Sequence, residues 1–182
     1  MSVFRVVLVL TLTPCLAPAQ QAGVAAEWNI RATLEAVTSH VERLQPLLEQ
    51  LQPKEWISAG APEAYIQQWN STRAQVDAVK QTSQELAGST EKLSVTLELF
   101  FRLQSIEASI GSLSEGVRRY QNPALADLIT GVLNENSSSR LAIRQYLVDL
   151  AKLKEQEYVV MDQEAQRCRG VLNRQPRPVK KK

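Results

Sequence analysis

The stretch IRATLEAVTSHVERLQPLLEQL, residues 30–51, places Ile30, Leu34, Val37, Val41, Leu44, Leu48 and Leu51 at alternating steps of 4 and 3. That spacing gathers the apolar side chains on one stripe of an α-helix and turns the stripe toward a partner helix. A half-buried strand would alternate at every second residue, and no stretch of the chain does so. The fold class is therefore all-α. Pro46 lies inside the stretch, where it removes a backbone donor, but the register carries through it, so a kink is expected rather than a stop. Pro53, Gly60 and Pro62 end the pattern and leave at most one helical turn over residues 54–58.

Working outward, a second helix is expected from Pro62 to Ala87, ahead of Gly88. Its seam is Tyr65, Trp69, Thr72, Val76, Val79, Ser83 and Leu86. Thr72 and Ser83 dilute it, which suggests a place where a further helix docks. A third helix starts near Thr90 and carries Leu99, Leu103, Ile106, Ile110, Leu113, Val117 and Tyr120. Apolar residues over 97–103 spread around most of the circumference, so this stretch is expected at the centre of the core. Asn122 and Pro123 open a fourth segment, interrupted by the polar run 134–139 and resumed by Ile143, Leu147, Leu150, Tyr158, Met161 and Ala165. Unbroken from 123 to 169 it would be about 70 Å long and would outrun its partners, so a break at the serines is expected, with Gly170 closing the last helix. The sum is an elongated antiparallel helical bundle of four long helices, arranged as two helical hairpins with one short connecting helix. No repeat beyond the heptads is present, which argues against a solenoid.

The first residues read as an address. A basic start, the apolar run Val6 to Leu12 and the small-x-small site Ala17-Pro18-Ala19 make a secretory signal peptide, with cleavage expected after Ala19. The layout is then a signal peptide at 1–19, a helical bundle domain at 20–173 and a disordered basic tail at 174–182. The expected location is a bacterial periplasm or beyond. Cys15 offers the alternative of a lipid anchor: Leu12 fits such a site, whereas Pro14 does not. The apolar run is too short to span a bilayer and none follows it, so no transmembrane span is expected in the mature chain. The net charge of +2 divides unevenly. With Arg5 in the leader and five basic residues in the tail, 15 basic residues face 19 acidic ones over 20–173, a net of −4.

Candidate chemistry is sparse. With one His and two Cys in 182 residues, Cys/His zinc and iron–sulfur sites are excluded, as is a dinuclear carboxylate site needing two Glu-x-x-His pairs. No phosphate loop, nucleophile elbow or zinc-protease motif occurs. His40 lies beside the Val37/Val41 seam and reads as an interface imidazole. Glu155/Glu157 and Asp162/Glu164 are two apart on a helix, so their side chains diverge by about 200° rather than converge. Trp56, Tyr65 and Trp69 read either as a plug packed over the bundle end or as a ligand or partner platform. Cys168, three residues after Ala165, reads as a buried seam residue, with an intermolecular disulfide as the alternative. Arg174, Arg177, Lys180, Lys181 and Lys182 read as a solubilising tail or a weak contact with an anionic envelope surface. Without interleaved aromatics, and with an export signal, the tail gives no reason to expect nucleic acid. The sequons at Asn70 and Asn136 read as chance matches.

The expected function is an exported, non-enzymatic interaction or scaffolding module of the cell envelope. It would need no cofactor or metal and would act through a protein partner or self-association. The alternative is a ligand-binding or sensor bundle, with a small apolar molecule between helices near Trp69 and Phe100/Phe101.

Overall fold

The computed structural model describes residues 27–174, with side chains from Ile30 to Asn173. The leader reading over 1–19, Cys15 included, lies outside the described residues, as do Arg177, Lys180, Lys181 and Lys182. Arg174 is described only as the end of a helix. Six helices follow one another: α1 (Glu27–Glu49), α2 (Pro53–Ser58), α3 (Ala64–Gly88), α4 (Leu93–Tyr120), α5 (Pro123–Glu135) and α6 (Ser137–Arg174). No strand occurs among the described residues, and the all-α bundle stands.

Local sequence accounts for most of the boundaries. α1 runs through Pro46 without ending. Pro53 occupies the first turn of α2, where its missing N–H costs nothing, and Gly60 adopts the positive φ of 93° that lets the chain turn toward α3. The Asn122 side chain caps α5 by accepting the Ala124 N–H at 2.9 Å. The expected break falls at Asn136, between α5 and α6. Gly170 does not close the last helix, which continues to Arg174; a helical glycine costs only about 1 kcal/mol relative to alanine, and nothing packed against this stretch forces a turn.

Packing forms a ring. α1 lies on α3, α3 on α4, α4 on α5 and the start of α6, and α1 closes against α5 and α6. Side-chain pairs fix the directions. Ser105 donates to Gln75 Oε1 at 3.1 Å and Ser112 to Gln68 Oε1 at 3.3 Å, so α3 and α4 are antiparallel. Arg118 meets Asp127 at 2.7 Å and Arg140 pairs with Glu107, so α5 and α6 run in one line, antiparallel to α4. Each such exposed pair is worth at most about 1 kcal/mol; they register the helices more than they hold them.

The core carries the energy. All seven seam residues of residues 30–51 are buried, as are Leu99, Leu103, Ile106, Ile110, Leu113 and Val117 of α4. Truncating one of these leucines to alanine costs about 2–5 kcal/mol. Thr72 and Ser83 are also buried, and Ser83 lines an open groove of about 310 Å³ with Leu34, Thr38 and Ala87 between α1 and α3. Thr72 satisfies its hydroxyl on the Gln68 carbonyl at 2.8 Å, whereas Ser83 Oγ has no hydrogen-bond partner among the described residues. Leu97 and Phe101 correct the expectation for 97–103: one turn apart, they share the solvent side of α4 and stand exposed.

His40 is a structural residue. Its Nδ1 lies 2.6 Å from the Ala36 carbonyl, which can only accept, so Nδ1 carries the proton. Beside it, the hydrogen bond and charge of Arg43 hold the Glu135 carboxyl below its ordinary range, against a small opposing desolvation, and His40 adds slightly. A depressed carboxylate stabilises the fold above its unfolded pKa and loses that contribution as pH falls through the folded one. Carboxyl NMR titration should show Glu135 titrating low, and Arg43→Ala should move it back up. Two glycines of α4 make an opposed pair. A Cβ on Gly116 would sit 2.9 Å from Tyr65 Cε1 and 3.0 Å from Trp56 Cζ3, whereas one on Gly111 would meet nothing within 4 Å. In denaturant titrations, Gly116→Ala should lower stability by about 1–3 kcal/mol and Gly111→Ala should raise it by up to about 1 kcal/mol.

Candidate interaction surface

The aromatic cluster named by the sequence closes one end of the bundle. Trp56 is fully buried, and its indole N–H donates to Gln121 Oε1 at 3.0 Å. The same oxygen accepts the Gln52 N–H at 3.1 Å, while Gln121 Nε2 donates to the Gln50 carbonyl at 2.8 Å. One glutamine just past α4 thus satisfies both the indole and the α1–α2 connection. Tyr65 stands edge-on to Trp56 at 5.5 Å and to Tyr120 at 6.3 Å. Trp69 donates to the Leu48 carbonyl, near the C-terminal end of α1, at 2.7 Å, and the Arg73 guanidinium covers its ring at 4.9 Å. At Trp56 this is the packed plug, while Tyr65 and Trp69 are half-buried. Trp56 has no open face to stack on, because burial of a large ring and satisfaction of its N–H require the same enclosed place.

The pocket imagined between Trp69 and Phe100/Phe101 does not form. Gln75 with Ser105, and Gln68 with Ser112, set Trp69 level with Gly111. Phe100 lies eleven residues earlier on α4, about 16 Å along the axis. Trp69 instead walls an open groove of about 330 Å³ with Ile66 and residues 51–55. Phe100 borders a different one with Glu107 and Arg140. Among the described residues no three His, Cys, Asp or Glu side chains are grouped to hold a metal ion.

The opposite end is open, and α6 leaves through it. Tyr146 donates its hydroxyl to the Thr90 carbonyl at 2.9 Å, which places that residue at the turn between α3 and α4. One turn later Leu150 is the last buried side chain, and every residue from Glu155 to Asn173 is exposed. Cys168 is among them, which overturns its reading as a buried seam residue. The same correction applies to Tyr158, Met161 and Ala165: the helix has passed the end of α4, so nothing among the described residues is left to cover them. Tyr158 is 68% exposed, Met161 64% and Leu172 65%.

Two apolar stripes divide α6. The buried one is Ser139, Ile143, Tyr146 and Leu150. The exposed one is Tyr158, Met161, Ala165, Cys168 and Leu172, again at steps of 3 and 4. Extending the buried stripe would reach Glu157 rather than Tyr158, so the exposed stripe is displaced by one residue, about 100° around the helix. It is a separate face rather than the core seam prolonged. Charge divides the same segment: residues 155–164 hold four acidic side chains and no basic one, and residues 165–173 hold Arg167 and Arg169 and no acidic one. Among the described residues the pairs along it are short-range, Lys154 with Glu157 at 2.9 Å and Arg167 with Glu164 at 3.2 Å. No helix of the described residues is long and apolar enough to cross a membrane.

No family model, no curated protein and no solved structure matches the chain.

Because the projecting segment buries nothing in its own body, a chain ending at Lys154 should keep the unfolding free energy of the dilute protein within about 1 kcal/mol. Leu150→Ala, one turn earlier, should cost about 2–5 kcal/mol in the same chemical denaturation series.

Proposed function

We propose that this chain is an exported, non-enzymatic interaction or scaffolding module of the cell envelope, working through protein–protein contact. The observation that carries the reading is the projecting half of α6, an unpartnered helix with a continuous apolar stripe at helical spacing. Most of a helix's stability in a protein comes from packing its apolar face, and burying a side chain such as Leu or Met contributes about 1.5–3 kcal/mol. Such a segment gains its order from a partner. The bundle body then serves as a rigid mount, closed at one end by the Trp56–Gln121 clamp and continuous with the arm at the other. Export rests on the leader read over residues 1–19, and the basic residues from Arg174 onward supply a contact for anionic envelope surfaces.

A photo-reactive residue placed at Met161 in the exporting cell should give protein adducts in the envelope or secreted fraction, whereas one at the exposed Gln67 of α3 should give few. Equal yields, or no adduct at Met161, would remove the arm as the contact surface. N-terminal sequencing of the same sample should begin at Gln20.

A further inference from the structure

Resting on the reading of the arm as a contact surface, we infer that its partner is a second copy of this chain, the two arms pairing antiparallel about a two-fold axis near residues 166 and 167. Three features of the segment lead there. The stripe Tyr158, Met161, Ala165, Cys168 and Leu172 is a heptad seam, so what covers it is another helix. Its bulk is arranged for reversal: with Met161 opposite Leu172 of the second copy, Ala165 falls opposite Cys168, and the two small residues meet where the helices cross. An isologous contact of this kind is satisfied twice over, residue by residue.

Charge selects the second copy and its direction. The first half of the arm carries Glu155, Glu157, Asp162 and Glu164; the second carries Arg167 and Arg169, and no acidic residue follows Ala165 to the end of the sequence. Antiparallel pairing lays Asp162 and Glu164 of each copy along Arg167 and Arg169 of the other. Asp162 and Arg169, which flank the seam on one edge, then oppose each other at both ends of the contact. Parallel pairing in register would set acid beside acid over 155–164 and bring the two Cys168 thiols face to face. Like charges adjacent across a helix pair disfavour it by amounts similar to what opposite charges gain.

The bodies leave room for this. In the antiparallel register, residue 174 of one copy, the last of the described helix, lies level with Val159 of the other, nine residues past Leu150 and about 13 Å beyond the end of the buried core. The contact runs over about 25 Å of helix from each copy, leaves both bundle bodies at opposite ends and covers Cys168 without a disulfide.

The purified chain, kept reduced, should sediment at twice the monomer mass as concentration rises toward about 0.1 mM, and the dimer should weaken in about 1 M salt. Two arm variants test the pairing while sparing the body: Asp162→Lys with Glu164→Lys, and Arg167→Glu with Arg169→Glu. Each alone should stay monomeric with unchanged helical circular dichroism, and a one-to-one mixture should regain the dimer. The inference fails if the wild-type chain stays monomeric or if either variant alone dimerises as the wild type does. A wild-type monomer whose Met161 adducts contain a different protein would end the self-pairing inference and leave the contact role of the arm in place.

Discussion

The apolar stripe of α4 sets the extent of this structure. Leu99, Leu103, Ile106, Ile110, Leu113 and Val117 are buried against α3 on one side and α5 with the start of α6 on the other. A bundle is only as long as the helix its neighbours share. α4 measures about 42 Å, whereas α5 and α6, running in one line antiparallel to it, measure about 78 Å. The surplus has nothing among the described residues to lie on. Helix propensity and the lack of any terminator before Arg174 carry α6 onward, and the body contributes no apolar partner to the segment past Lys154.

The two ends of the bundle solve opposite problems. At one, three helix termini converge and their unpaired carbonyls and amides need partners. Gln121 and the Trp69 indole meet that need with hydrogen bonds of 2.7 to 3.1 Å, Gln121 also accepts the Trp56 indole N–H at 3.0 Å, and Gly116 makes the space in which Trp56 and Tyr65 pack. Trp56 there is structural, and its burial explains why it is a poor candidate for stacking on a ligand. At the other end, Tyr146 fastens α6 to the α3–α4 turn through the Thr90 carbonyl, Leu150 is buried one turn later, and beyond Lys154 the helix is exposed all round.

What the sequence reveals follows the same line. Seam residues such as Val37, Leu44 and Ile110 are legible because an apolar residue at every third or fourth position is stabilising only if one face is covered. The same signal marks Tyr158, Met161 and Ala165, yet it carries no information about whether the covering helix belongs to the same chain. That is why their burial, and that of Cys168, was expected from periodicity and is absent from the fold. Phe101 and Leu97 fail for a related reason: apolar residues all around a helix predict neighbours on every side, but a ring of helices leaves each member one side toward solvent. Gln121 was not legible at all. Its role is fixed by an unpaired indole and two loop residues far away in sequence, and the only hint available was that a buried tryptophan needs an acceptor. The candidate surface was thus present in the sequence as a pattern and became a surface only when the length of α4 was known.

Amide hydrogen exchange along α6, followed as a function of protein concentration, tests this account most directly. Residues around Ile143, Tyr146 and Leu150 should be protected at every concentration, since the body holds them, whereas amides from Glu157 to Leu172 should be weakly protected when dilute and gain protection as concentration rises. Protection of the arm equal to that of the body and independent of concentration would mean that its own chain covers it. Arm amides left unprotected at all concentrations would mean that nothing does so through self-association.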